Sequence, residues 1–133
     1  SRGLGDVYKR QAKTMIHMAS KEYIPAIISY VTSLGDSINS ISAACAEADL
    51  SVQKDLLTTC SSLLAKAQTA LYALKDADKK ANAMEEGKEQ AEFFRDTVFT
   101  AMADLRAPID ELEMIVDKEY WPVPSYGDML FEV

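Results

Sequence analysis

The sequence predicts an all-α chain: an antiparallel three-helix bundle of long helices with an extended apolar C-terminal tail. Three observations predict it. Apolar and small residues recur at alternating spacings of three and four, which lays a stripe along one helix face. The 133 residues contain only 5 Gly and 4 Pro, too few for a sandwich or barrel with a turn every ~8–12 residues. The helical repeat stops at Tyr120, and Pro122 and Pro124 forbid a regular helix beyond it.

The first stripe is Ile24, Ile27, Val31, Leu34, Ile38, Ile41 and Cys45. Pro25 interrupts it. An interior proline loses the bond to the Lys21 carbonyl, so a kink or a helix start is expected there. Gly35-Asp36 is a weaker break, and the stripe stays in phase across it, so one helix is expected to about Ala46. Residues 47–51 read as a turn in which Asp49 or Ser51 caps the next helix. The second stripe is Leu56, Cys60, Leu63, Ala67, Ala70, Leu74, Ala77, Ala81 and Met84, with Ala allowing close approach. A turn is expected over 82–87, because Gly87 is costly inside a helix. The third stripe is Ala91, Phe94, Val98, Ala101, Leu105, Ile109, Leu112 and Ile115 or Val116. Pro108 should kink this helix, with packing around Leu105 and Leu112 offsetting the cost.

The tail is rich in Trp, Tyr, Leu and Phe, whereas a free tail is normally polar. Trp121, Pro122, Pro124, Tyr126, Leu130 and Phe131 are therefore read as a structural anchor or subunit interface. At the other end, Asp6-Val7-Tyr8-Lys9-Arg10-Gln11 back-translates to GAT GTG TAT AAG AGA CAG. That resembles the end of the transposon adapter used to fragment DNA for sequencing. Residues 1–11 are accordingly read as an adapter-derived scar. Residues 12–133 are read as the domain, with helices over 12–120 and a docked tail over 121–133. The natural protein is then expected to begin upstream of Ala12.

Composition excludes several function classes. The formal charge of −7 repels polyphosphate and argues against nucleic-acid binding. The uncharged stretch 23–35 is shorter than the ~20 residues of a spanning helix, so no membrane contact is expected. Cys45 and Cys60 form no CxxC pair and are read as small buried thiols of a reducing cytosol.

No catalytic or cofactor constellation emerges. His17 is the single histidine, without the Glu-x-x-His pattern of bundle di-metal sites, and reads as a surface residue. Glu85, Glu86, Glu89 and Glu92, and also Asp110, Glu111 and Glu113, read as solvated faces rather than metal ligands. Ser125 lacks a His or Cys partner, and no phosphate-binding glycine loop is present. Met15, Met18, Met84, Met102, Met114 and Met129 read as core filler.

Two stretches carry a family resemblance. Met102-Ala103-Asp104-Leu105-Arg106-Ala107-Pro108-Ile109-Asp110-Glu111-Leu112-Glu113 and Trp121-Pro122-Val123-Pro124-Ser125-Tyr126-Gly127-Asp128-Met129-Leu130-Phe131 resemble the C-terminus of glutamine synthetase type III. That family ends in an M-x-x-L-R-x-x-x-D-x-L-E helix and a W-P-x-P-x-Y-x-x-x-L-F tail. Thr14-Met15-Ile16-His17-Met18 and Ile24-Pro25-Ala26 are similar to the start of its helical C-terminal region. Pro108 and His17 depart from the pattern.

The resemblance implies a parent enzyme that joins glutamate and ammonia using ATP and Mg or Mn. Its active sites would lie in other domains, so no catalytic, nucleotide or metal residue carries over. It also implies that the partners are the remaining domains of the same chain and neighbouring subunits of a cytoplasmic homo-oligomer. The expected role is then structure and assembly. The alternative is a stand-alone helical-bundle interaction module starting at Met15, whose stripes recruit a partner helix.

Overall fold

The computed structural model describes residues 2–122. Those residues are all helical in their regular structure, with no strand among them. Helix α1 spans Arg2–Met18 and passes through a π-turn, Ala19–Tyr23, into α2, Ile24–Ala44. Helix α3 spans Ser51–Ala83. Helix α4, Lys88–Phe93, passes through a second π-turn, Phe94–Val98, into α5, Phe99–Ile115. The described residues thus form three long helical segments, α1–α2, α3 and α4–α5.

Pro25 acts on the turn before it. It sits at the start of α2, and the Ile24 N–H bonds the Ala19 carbonyl five residues back. The wider turn accommodates a ring that has no N–H to donate and crowds the preceding turn. The helix therefore changes register there and continues. The second π-turn has no proline; the Phe99 N–H bonds the Phe94 carbonyl, and Phe94 and Val98 are both buried. Pro108 lies buried inside α5, and the helix runs through it. The neighbouring Leu105, Ile109 and Leu112 are almost fully buried. Burying each stabilises by ~1.5–3 kcal/mol, which offsets the ~3 kcal/mol cost of the proline.

The turns fall close to their expected places. Cys45, in extended backbone, ends α2, two residues short of the predicted end. Asp49 accepts a hydrogen bond from the Ser51 N–H at 3.0 Å, which holds its carboxyl below the usual range. That N–H belongs to the first residue of α3, and the cap position is Leu50, which has no side-chain bond. Capping by Asp49 or Ser51 in the usual sense is corrected accordingly. Residues 84–87 separate α3 from α4, and Gln90 Nε2 donates to the Ala81 and Met84 carbonyls at 2.9 and 3.3 Å. This side chain ties α4 to the end of α3, sharing the Ala81 carbonyl with the Met84 N–H and adding a bond to the Met84 carbonyl just past the helix.

Helix α3 packs most extensively against α5, then against α2, and α1 meets α3, α4 and the second π-turn. One core unites Met15, Tyr23, Ile27, Cys60, Leu63, Leu74, Phe94, Leu105 and Leu112 with their neighbours. The second stripe is buried from Cys60 to Ala81, while Leu56 and Met84 are half-buried. On the first stripe Ile24, Ile27 and Leu34 are buried; Val31, Ile38 and Ile41 are half-buried. Ala91 on the third stripe is half-buried.

Two expectations are corrected. Cys45 is exposed, because it stands past the last residue of α2; Cys60 is buried as expected. Met15, Met18 and Met102 fill the core, but Met114 is 89% exposed, on the face of α5 opposite Leu105. Helix α1 begins at Arg2, so the segment 2–11 is helical, and Tyr8 rests on the core 5.3 Å from the Phe99 ring.

Candidate functional site

The chain leaves α5 at Val116, whose backbone turns to an extended conformation. Two tight turns follow, closed by Tyr120 N–H to the Asp117 carbonyl and Trp121 N–H to the Lys118 carbonyl. They lay two aromatic rings back on the first helical segment. Tyr120 meets Tyr30 edge-on, with centroids 5.6 Å apart. Trp121 meets Tyr23 at 4.9 Å and 40°. Such pairs add ~0.5–1.5 kcal/mol beyond the area they bury.

The seam is apolar and buried on its inner side. Tyr23 is fully buried, and Trp121 is 6% exposed. Burial pushes the Tyr30 hydroxyl above its ordinary range, aided by Cys60, Asp117 and Tyr120. Burial likewise raises the Cys60 thiol. Both groups stay protonated at neutral pH, which suits packing rather than nucleophilic chemistry. Trp121 Nε1 is buried without a hydrogen-bond partner among the described residues.

Of the six residues read as an anchor or interface, Trp121 is buried in this seam and Pro122 is half-buried beside it. Pro124, Tyr126, Leu130 and Phe131 lie outside the described residues, as do Ser125 and Met129. Tyr23 and Tyr30, which receive the seam, were not singled out from sequence. Their apolar rings at a spacing of seven were the available signal.

The remaining candidates do not converge. His17 is exposed. Glu85, Glu86 and Glu89 are exposed and Glu92 is half-buried; Asp110 and Glu111 are exposed and Glu113 is half-buried. Among the described residues no three His, Cys, Asp or Glu side chains gather in a way that could hold a metal ion. No described helix is long and apolar enough to cross a membrane. A cleft of about 800 Å³ opens between the start of α1, the end of α3 and α4. Lys9, Lys88 and Arg95 line it together with Asp6, Glu86 and Glu92, so its charges are matched and it selects neither anions nor cations.

Comparison with known proteins adds the one functional pointer. The chain is 30% identical over 127 residues to a protein named glutamine synthetase from Butyrivibrio fibrisolvens, covering 92% of this chain and 18% of that protein. It is 27% identical over 125 residues to a protein of the same name from Bacteroides fragilis, covering 91% of this chain and 17% of that protein. The chain thus spans less than a fifth of the length of the curated relatives it matches. No family model and no solved structure matches it.

Proposed function

We propose that this chain is a non-catalytic structural and assembly domain from the C-terminus of a type III glutamine synthetase, built as an antiparallel three-helix bundle. The observation that carries the reading is the pair of relatives named glutamine synthetase, matched along nine-tenths of this chain but under a fifth of their own length. Two short connections between long helices, with Tyr8 on Phe99 and Tyr23 on Trp121, support the up-down-up course. The parent enzyme makes glutamine from glutamate, ammonia and ATP with Mg or Mn, through residues elsewhere in its chain. The bundle works in the cytoplasm against those other domains and against neighbouring subunits. Trp121, Pro122, Pro124, Tyr126, Leu130 and Phe131 serve as its anchor.

Sequencing the source DNA upstream of codon 12 tests the origin. The expected result is an open frame encoding a β-rich catalytic region with clustered Glu and His ligands. A stop codon followed by a start at Met15 would instead make this an independent interaction module. Deleting residues 121–133 from the full-length enzyme tests the role, and a lower Tm or a smaller oligomer is expected. Native size and Tm in the truncated enzyme would sink the anchoring idea.

A further inference from the structure

Two exposed apolar side chains stand among charges of opposite sign. Tyr72 on α3 is 62% exposed, and Met114 on α5 is 89% exposed. Lys75 Nζ lies 5.9 Å from the Tyr72 ring centroid. Lys66, Lys75 and Lys79 are exposed on the same stretch of α3, and none of them has an ion pair among the described residues. The acids of that stretch are already answered: Asp76 pairs with Lys80 at 2.9 Å, and Asp78 feels Lys13 and Lys9. The end of α5 is the reverse. Glu111 and Asp117 are exposed three residues to either side of Met114, and residues 110–119 carry five acids against Lys118. Of these acids Asp110 is paired, with Arg106 at 3.4 Å. The other exposed apolar side chains have a different setting. Ile28 has no charged residue within one turn, and Tyr8 stacks on Phe99. Val52 stands where the α2–α3 hairpin runs past the end of α5, with Lys54 as well as Asp49 and Asp55 beside it.

We propose that the Tyr72 patch of one copy of this chain docks on the Met114 patch of another. The inference names a subunit contact for the assembly role given above and rests on that role. Charge complementarity argues for this occupant. The chain carries a formal −7, so two copies repel on average, and the lysines around Tyr72 offer a place where an acidic helix end is attracted instead. Both patches belong to the same chain but to exposed faces of different helices, so a second copy supplies the half that the first cannot bring to itself. The centre of the contact is apolar. A flexible thioether laid on an aromatic ring is favourable, and the union removes both from water. Lysines and carboxylates around that centre form the polar rim of a specific contact.

Sedimentation of the 133-residue chain tests this. The variants are Lys75→Glu/Lys79→Glu, Asp110→Lys/Glu111→Lys, the chain with all four changes, and Tyr72→Ser. All these positions are exposed, and far-UV circular dichroism checks that each variant keeps its helices. The unaltered chain should self-associate at ~0.05 M salt, and ~0.5 M salt should weaken the association about tenfold. Each double variant should weaken it about tenfold at low salt. The chain with all four changes, and an equimolar mixture of the two double variants, should regain it. Tyr72→Ser should also weaken it, which a general effect of net charge would not produce. A chain that stays monomeric at low salt up to ~1 mM overturns the proposal. So does association that neither double variant changes, or that the four-change chain fails to regain. A monomeric chain whose Tyr72 patch binds the other domains of the parent enzyme would assign the patch to them and also overturn it. An intact oligomer in the full-length enzyme carrying either double variant, beside a smaller one in the tail-deleted enzyme, would refute this contact and leave the assembly role standing.

Discussion

Asp78 is half-buried on α3, and burial pushes its carboxyl above the usual range against the opposing pull of Asn82, Lys13 and Lys9. Its Oδ1 is buried without a hydrogen-bond partner among the described residues. A carboxyl with a raised folded pKa ionises first in the unfolded chain. Stability is then full below the ordinary carboxylate range and falls as pH rises through it. Asp78→Asn should therefore raise Tm at pH 7, and the gain should vanish below pH ~4. Thermal melts of both chains at pH 7 and pH 3 check this, and a gain that persists at pH 3 would locate the effect elsewhere. Nothing in the spacing around Asp78 marks it in the sequence. Its burial comes from α1, a helix distant in the chain, packing against α3. Tyr23 and Tyr30 were missed for a related reason. A hydroxyl-bearing ring reads as amphipathic until Trp121 and Tyr120 arrive to cover it.

Among the elements, two glycines separate local from tertiary demands. Gly35 lies within α2, with open space where a Cβ would stand. Gly87 precedes α4 with φ +156° and ψ −164°, a backbone region that side chains resist. Gly35→Ala should stabilise by ~0.4–1 kcal/mol, through helix propensity and a less flexible unfolded chain. Gly87→Ala should cost ~1–3 kcal/mol. Urea titrations of the two variants distinguish these signs, and equal effects would remove the argument from backbone conformation. The turn at Gly87 was legible from its cost inside a helix. The π-turn at Phe94–Val98 was not, since no proline or glycine marks it. At Pro25 the sequence showed that something must yield, and the packing of Ala19 and Tyr23 decided that the helix would widen rather than stop.

For the whole molecule, Trp121 is the sole tryptophan and joins the main core from beyond the last helix. If the seam and the helices form one cooperative unit, unfolding followed by Trp121 fluorescence and by far-UV circular dichroism should coincide. An earlier fluorescence transition would mean that the segment after α5 detaches before the helices melt. The unequal reach of the three helical segments acts at this scale too. It leaves the α2–α3 end with apolar surface that stripes alone do not reveal, because a stripe shows which face is apolar and not where its partner ends.

The residues alone determined that the described segment is helical, where the connections between its three long helical segments fall and which face of α3 is buried, since these follow from side-chain period and backbone cost within a few residues. Cys60, Leu63, Ala67, Leu74 and Ala77 were readable for that reason. Only the tertiary structure decided which stripe positions are truly covered, that Cys45 and Met114 face solvent, and that Trp121 closes on Tyr23. Burial depends on how far the neighbouring helix extends and on where a distant segment returns, and neither quantity is carried by local spacing.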